Sequence, residues 1–122
     1  MPTGAPGVSV LYKDRVMVEA VVAKLKVYAQ PQRLMILSCL LAGERTVSEI
    51  DDATRIGQPA LSQQLATLRR NVLVRTRRQG TQIFYALADE SVALCVRSME
   101  EMLGASSAQQ VALKSAAPAA VQ

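Results

Sequence analysis

Side chains suited to reading a nucleic acid occur together near the middle of the chain. Glutamine can form two hydrogen bonds with the edge of an adenine, serine can bond to several bases, and alanine can contact the methyl group of thymine. On an isolated helix such residues would be an ordinary solvent-facing surface, so their surroundings decide what they mean. Five residues around Pro59 are candidates for base contacts: Gln58, Ala60, Ser62, Gln63 and Gln64.

The surroundings of these residues are positively charged. Six arginines and no Asp or Glu lie between Ala53 and Ala88, although the whole chain has 14 basic and 10 acidic residues. A positive block on a slightly acidic body is expected of a surface that binds phosphate. The simpler alternative is a hairpin edge that its charges protect from aggregation. Seven side chains are candidates for contacts with a DNA backbone: Ser48, Arg69, Arg75, Arg77, Arg78, Gln79 and Gln82.

The composition argues against catalysis and metal binding. The chain has no histidine, which removes the common imidazole routes to general base catalysis and to zinc binding. No nucleophile–base pair, paired-carboxylate motif or glycine-rich phosphate loop occurs. The two cysteines, Cys39 and Cys95, are too few for a zinc site or a disulfide scaffold. We therefore predict no enzyme, no metal site and no cofactor.

Two helices are predicted before the polar cluster. Apolar residues at helical spacing predict an amphipathic helix from Asp14 to Ala29, with Asp14 as its cap. Pro31 is suited to open the next helix, which runs to about Ala42 and ends at Gly43 as a left-handed terminator. This second helix is apolar on all sides, so we expect it to lie in the core.

The polar cluster falls on a fourth helix. The sequence T-V-S-E from Thr46 to Glu49 is a capping box that opens a short third helix, and Ile56 and Gly57 make a tight turn after it. The fourth helix is expected to start near Gln58, with Pro59 in its first turn. Its predicted apolar stripe consists of Leu61, Leu65, Leu68 and Val72.

A β-hairpin and a last helix follow. The period changes to alternation after Asn71, and a Gln79–Gly80 turn joins two strands that end at Leu87. Asp89 or Ser91 starts the last helix, which Gly104 closes. We predict a flexible arm over residues 1–13, one domain over 14–104 and a disordered tail over 105–122. No segment reaches the length of a membrane helix and none resembles a signal peptide, so we expect a cytoplasmic protein without a membrane partner.

The order of these elements is typical of a winged helix-turn-helix, a mainly α fold with five helices and a small β-hairpin. The run TVSEIDDATRIGQPALSQQLATLRRNVLVRTRRQGTQIFYAL resembles the ArsR/SmtB repressors, nearest their non-metal or thiol-sensing branch. It departs from the family pattern at Gln64, where histidine is usual, at Gly57, where serine is frequent, and at Asn71–Val72, where glycine is common. The resemblance implies a transcriptional repressor whose fourth helix reads double-stranded DNA.

The resemblance also implies a homodimer built by the first and last helices, which binds an inverted-repeat operator. Two apolar stripes suit that role, because a monomer would expose them. The candidate interface residues are Val18, Val21, Val22, Leu25, Val92, Cys95, Val96, Met99, Met102 and Leu103.

The signal that such a repressor would sense stays open. The family's metal sites need a Cys-x-Cys-like pair or Asp and His ligands, and the chain lacks both. The thiol-sensing branch places its cysteines at the positions of Ser38 and nearer Gly104, so a redox pair of Cys39 and Cys95 is one alternative, with two core thiols as the other. A regulator with an organic inducer or with no switch, and a winged helix that binds proteins, are the remaining alternatives.

Overall fold

The computed structural model describes residues 10–104, and the predicted winged helix-turn-helix fold is confirmed. Two single turns of 3-10 helix, Leu11–Lys13 and Leu40–Ala42, accompany the main elements. Within the described range, no helix has both the length and the apolar character needed to span a bilayer. The five helices are α1 (Arg15–Tyr28), α2 (Pro31–Cys39), α3 (Val47–Thr54), α4 (Ala60–Arg70) and α5 (Glu90–Leu103), and the strands are β1 (Arg45–Thr46), β2 (Val74–Gln79) and β3 (Gln82–Leu87).

The predicted terminal segments fall largely outside this range. Residues 1–9 of the predicted flexible arm and the whole predicted tail, 105–122, lie outside the described residues. Residues 11–13, which the sequence assigned to the arm, form the first 3-10 turn and are exposed. The division of the chain into an arm, a domain and a tail stays a prediction.

Side-chain caps begin four of the helices. The Asp14 carboxylate accepts a hydrogen bond from the Met17 N–H at 2.9 Å, which confirms this residue as the cap of α1. Gln30 accepts from the Arg33 N–H at 2.8 Å at the start of α2, and Asp89 accepts from the Val92 N–H at 3.1 Å at the start of α5. Each such cap satisfies one of the backbone donors that a helix start leaves unpaired.

The predicted capping box opens α3. The Thr46 hydroxyl accepts from the Glu49 N–H at 3.2 Å, while the Glu49 carboxylate accepts from the Thr46 N–H at 2.9 Å. Two backbone donors at the start of the helix are thereby satisfied by two side chains.

The sheet has one strand more than the sequence predicted. β1 pairs with β3, which pairs with β2, and both pairings are antiparallel. The sequence did not indicate β1, because a strand of two residues has no periodicity to detect. The predicted hairpin turn was wrong by one residue: Gln79 pairs with Gln82, so Gly80 and Thr81 form the loop, with Gly80 at φ +64°.

The core forms around α2, as its apolar sequence predicted. Ile36 and Leu37 are completely buried, and α4 packs Leu61 and Leu68 into the same cluster. The second helix is shorter than predicted because its last residues tighten into the 3-10 turn Leu40–Ala42. Gly43 follows with φ +130° and ψ 179°, a positive φ outside the predicted left-handed helical region.

The turn between α3 and α4 fixes where α4 begins. Arg55 ends α3 in a left-handed conformation, φ 59°, and the Gly57 N–H donates to the Asp51 carboxylate at 2.8 Å. α4 starts at Ala60, so the predicted start near Gln58 was two residues early. Pro59 occupies the cap position, and a cis peptide bond joins it to Gln58.

Val72 does not belong to the apolar stripe of α4. It has a left-handed backbone, φ 59°, and its side chain is 69% exposed. The chain leaves the helix at Asn71, so the periodicity that predicted burial stops one residue before Val72. A β-branched residue is a genuine outlier in this region of backbone conformation, whereas glycine adopts it without steric cost.

We expect Val72→Gly to stabilise the protein. Removing the Cβ relieves a left-handed strain of about 1–2 kcal/mol, partly offset by the roughly 0.5–1 kcal/mol entropic cost of glycine. The exposed side chain gives up little packing. Thermal unfolding should show a Tm a few degrees above that of the unchanged protein.

Val72→Ala is the control, because it removes the branched side chain and keeps the Cβ. It should recover less stability than glycine does. A glycine variant that melts at or below the temperature of the unchanged protein would contradict the assignment of strain to this residue.

Candidate nucleic-acid interface

The exposed start of α4 is built around two residues that bond to each other. Gln58 Oε1 accepts hydrogen bonds from the Ser62 N–H at 3.1 Å and from the Ser62 hydroxyl at 2.8 Å. Pro59 offers no side-chain cap, so Gln58 takes over that role from outside the helix. The pair orients the first turn of α4 and leaves the Gln58 amide N–H groups facing outward for acceptors.

Gln63 is the residue of this turn whose side chain is available. It is exposed, and its amide makes no hydrogen bond within residues 10–104. Its main-chain carbonyl accepts from the Thr67 hydroxyl at 3.1 Å, so the backbone beneath it is fixed while the amide is left for an external partner. Ala60 lies one turn earlier and is partly exposed.

Gln64 is half-buried, and α2 holds the side chain that the sequence assigned to a base contact. Its Oε1 accepts from Arg33 Nη1 at 3.1 Å, and its Nε2 donates to Gln32 Oε1 at 3.1 Å. Arg33 also donates to the carbonyl of Val27 at 2.7 Å. Gln64 therefore anchors α4 to α2, and through Arg33 to the end of α1. No sequence motif marks a bond between residues 31 positions apart.

The remaining polar candidates on the helices are exposed. Ser48 lies in the first turn of α3, and Arg69 lies on α4, where its side chain makes no hydrogen bond within the described part of the chain. Arg69 borders a groove of about 390 Å³ between α4 and Tyr85 of β3. Arg55, at the left-handed end of α3, is also exposed, and the sequence did not select it. Its position in the acid-free segment between Ala53 and Ala88 was the sequence feature that could have identified it.

The hairpin arginine Arg77 is held by an acid from outside the positive block. Its guanidinium makes a bidentate ion pair with Glu44, with Nε at 2.8 and 3.0 Å from the two carboxylate oxygens. It also lies 4.6 Å from the centre of the Phe84 ring and donates to Gln79 Oε1 at 2.8 Å. The hydrogen bond from Arg77 holds the pKa of Glu44 below its ordinary value.

Arg75 is also engaged within the protein. Its Nη1 donates to the carbonyls of Leu87 at 3.0 Å and of Ala88 at 3.1 Å. Both arginines are exposed, and their contact with a DNA backbone stays a prediction. The segment has no acids in its sequence, yet its arginines find partners elsewhere in the folded chain.

Arg78 is the arginine of the hairpin that has no such partner. It is exposed, its side chain makes no hydrogen bond or ion pair in residues 10–104, and it sits opposite Ile83 beside the turn. Alternation along β2 places it on the face opposite Arg77. Gln82 is exposed as well, next to the tip of the hairpin.

The two cysteines lie in different surroundings, and both are free thiols. Cys39 lines a cavity together with Met99 and Leu103, and burial raises its pKa. Cys95 contacts the phenol of Tyr28; burial and this contact raise the pKa of Tyr28 to about 12. Cys95 lies four positions before Met99 on α5, about 6 Å along the helix axis. Nothing in this arrangement favours the Cys39–Cys95 redox pair.

The apolar faces of α1 and α5 are only partly exposed. Val21, Val22 and Leu25 of the predicted interface are exposed on α1, and Val18 is half-buried there. Val92 and Val96 are 5% and 0% exposed because they pack into the core of the same chain, so the prediction that they meet a partner is corrected. Cys95 and Met99 are half-buried, and the exposed apolar residues of α5 are Leu94, Met102 and Leu103.

Comparison with known proteins identifies a matching family. Residues 30–76 match the model of the "Bacterial regulatory protein, arsR family". The chain is 44% identical over 75 residues to the biofilm growth-associated repressor of Xylella fastidiosa, and the match covers 62% of this chain and 66% of that protein, just under two thirds of its length. It is 38% identical over 81 residues to the transcriptional activator HlyU of Vibrio cholerae, covering 66% of this chain and 75% of HlyU.

A solved structure extends the likeness to the fold. It is the homodimeric winged helix-turn-helix DNA-binding domain of a possible ArsR-family regulator from Mycobacterium bovis. The TM-score is 0.63 at 32% identity, with 79% of this chain and 87% of that chain covered.

The ion pair between Glu44 and Arg77 gives a prediction that needs no ligand. The lowered pKa of Glu44 means that the pair persists above the ordinary pKa of a glutamate and is lost as the pH falls through the lowered value. In Arg77→Ala, the Glu44 carboxyl should titrate at a higher pH than in the unchanged protein. Carbon-detected NMR of the side-chain carboxyl measures this directly.

Asp89, whose pKa is lowered by hydrogen bonds from Ser91 and Val92, provides the control carboxyl and should keep its titration curve in the same variant. An unchanged Glu44 curve would show that the two side chains do not pair in solution.

Proposed function

The chain belongs to the ArsR family of bacterial regulatory proteins, and we propose that it represses transcription by binding an inverted-repeat operator as a homodimer. The observation that carries this proposal is the exposed, acid-free start of α4 beside a hairpin that presents Arg78. In a helix-turn-helix, the N-terminal residues of the second helix contact base edges in the major groove. Such a regulator would work in the cytoplasm, beside its DNA.

Gln63 is the proposed base-reading residue with the strongest support. Its amide is exposed and unpaired in the described structure, and a glutamine amide can bond to both N6 and N7 of adenine. Gln58 would read bases with its amide N–H groups and Ser62 with its hydroxyl oxygen, because their mutual bond occupies Gln58 Oε1 and the Ser62 hydroxyl proton. Ala60 could contact a thymine methyl group. Gln64 is excluded from this set because α2 holds its side chain.

Phosphate contacts are proposed for side chains that are exposed around α4 and the hairpin. Among the residues predicted to contact the DNA backbone, Arg69 and Arg78 are the arginines whose side chains have no partner in residues 10–104. We add Arg55 to this set because it is exposed beside the turn that leads to α4. Ser48 is exposed in the first turn of α3, where its hydroxyl could donate a hydrogen bond to a phosphate. Gln79 and Gln82 would support the hairpin as the wing that lies along the DNA.

The exposed apolar face of α1 supports the proposed homodimer. Leu25 is 48% exposed, and Val21 and Val22 are exposed beside it. A contiguous apolar surface of this kind marks an interaction site on a soluble domain, and the related domain from M. bovis is homodimeric. Two α4 helices related by a two-fold axis would read half-sites about 10 base pairs apart or a multiple of that spacing.

The alternative functions have no comparable support. A winged helix that docks on proteins would not need unpaired arginines at both α4 and the hairpin. A redox switch through Cys39 and Cys95 has no specific support, because both thiols pack against the hydrophobic core and burial raises the pKa of Cys39, which disfavours its thiolate. An enzyme is disfavoured because the related proteins are transcriptional regulators.

Selection of bound sequences from random double-stranded DNA tests the proposal. The selected sequences should contain an inverted repeat, because a symmetric dimer presents two identical reading helices. The affinity for that repeat should fall steeply with salt, as expected when phosphate contacts release counterions. Absence of DNA binding at low salt, where these contacts are strongest, would refute the proposal.

Leu25→Glu tests the dimer within the same proposal. A charge on the exposed apolar face of α1 should convert the dimer to a monomer in sedimentation experiments and weaken binding to the full repeat more than to a half-site. Val72→Glu places the same charge on an exposed valine at the end of α4 and should leave the protein dimeric. A monomeric unchanged protein would contradict the two-fold model.

Gln63→Ala and Arg78→Ala should weaken DNA binding in different ways. Loss of Gln63 removes a base contact, so specific binding should fall by about 1–3 kcal/mol while non-specific binding holds. Loss of Arg78 removes a phosphate contact, so binding to all sequences should weaken and the salt slope should decrease by about one. Fluorescence anisotropy on the selected repeat and on a scrambled duplex separates the two effects.

Arg97→Ala is the control, because it removes the same charge from α5, where Arg97 is paired with Glu90. It should change neither the specificity nor the salt slope. Equal losses for Gln63→Ala on both duplexes would argue against base reading by this residue.

A further inference from the structure

A cavity of about 610 Å³ lies between the second helix and the last turn of the fifth. Its volume is within the range of about 300–1,000 Å³ that small-molecule sites occupy. The walls are mostly apolar and come from four elements, with Leu34 and Met35 of α2, Ala53 at the end of α3, and Met99 and Leu103 of α5 among them. Apolar walls with few polar groups are typical of sites that bind an organic ligand.

The polar groups of the cavity differ in how fully they are engaged. The Ser38 hydroxyl donates to the Glu100 carboxylate at 2.5 Å. This hydrogen bond occupies one of the two carboxylate oxygens of Glu100. Arg45 donates from Nε to the Cys39 carbonyl at 3.3 Å, and its two terminal nitrogens make no hydrogen bond within residues 10–104. A guanidinium held at one end and open at the other is suited to a bidentate bond with a carboxylate.

The cavity also touches the two elements that position the DNA-reading surface. Arg45 is in β1 and pairs with Tyr85 of the hairpin strand β3. Ala53 and Thr54 end α3 immediately before the turn that leads to α4, and the Thr54 hydroxyl bonds to the Ile50 carbonyl at 2.8 Å. A molecule that fills the cavity would press on the hairpin and on this turn together.

We propose that this cavity binds a small, largely apolar molecule that carries a carboxylate, with Arg45 as the anchor of its head group, and that the bound molecule changes the affinity for DNA. The effector role rests on the proposed function, whereas the binding site does not. Cys39 contributes to the wall as a neutral thiol, since burial raises its pKa.

Octanoate is the probe, with octan-1-ol and octylamine as partners that share its chain and differ in head group. Calorimetry should show one octanoate bound per chain, and octan-1-ol and octylamine binding at least about tenfold more weakly, because charge-assisted bonds to Arg45 are the specific contribution. In NMR spectra, octanoate should shift the amides of Leu34, Thr54 and Leu103. Equal binding of all three probes, or a preference for octylamine, would overturn the assignment of Arg45.

Two variants locate the site. Arg45→Met keeps the apolar stem and removes the anchor, so octanoate binding should fall about tenfold while octan-1-ol is unaffected. Ala53→Phe fills the cavity from an exposed position and should abolish binding of both probes. Arg97→Met, on α5 and outside the cavity, is the matched control and should bind octanoate as the unchanged protein does. Thermal unfolding of each variant verifies that it is folded.

The effector role is measured separately on the selected DNA repeat. Saturating octanoate should change the affinity for the repeat at least threefold, and the repeat should change the affinity for octanoate by the same factor. DNA binding without octanoate binding would overturn this inference alone, and octanoate binding without DNA binding would overturn the proposed function alone. Octanoate binding that leaves DNA affinity unchanged would refute the effector role.

Discussion

The hydrogen bonds at Thr46 hold the DNA-reading half of the molecule together. Thr46 is the last residue of β1, where it pairs with Phe84 of the hairpin, and its hydroxyl and N–H form the capping box of α3. Thr46 thus contacts both the hairpin, through its strand pairing, and the helix-turn-helix, through its capping box. A capping interaction contributes only about 1 kcal/mol, yet here it also links the two elements that are proposed to meet the same duplex.

The features that the sequence predicted well are those that depend on neighbours within a few residues. The Asp14 cap and the Thr46–Glu49 box each close over three positions, and the Leu61, Leu65 and Leu68 stripe follows from helical period alone. A local pattern suffices because the physical interaction is itself local. The helices, the hairpin and the order of the elements could therefore be predicted, and with them the helix that presents the candidate site.

The features that were missed depend on contacts between distant residues. Gln64 bonds to Arg33, 31 positions earlier, and Arg77 bonds to Glu44, 33 positions earlier. Exposure and free hydrogen-bonding capacity are properties of the folded chain. The sequence alone therefore could not distinguish Gln63, whose amide is free, from Gln64, whose amide is bonded to α2. Val72 was wrongly predicted to be buried because the apolar stripe gave no sign of where α4 ends.

These distant contacts divide the candidate surface into parts that position and parts that bind. Gln64 and Arg33 join α4 to α2 and to the end of α1, the helix that carries the exposed apolar face. The spacing between two reading helices in a dimer would therefore be set by side chains that touch no DNA. Arg77 and Glu44 fix the hairpin in the same way, by an ion pair stacked on Phe84. The ion pair with Glu44 cancels the charge of Arg77, whereas Arg75 keeps its charge because it bonds only to neutral carbonyls, so Arg75 and Arg78 carry the free positive charge of the hairpin.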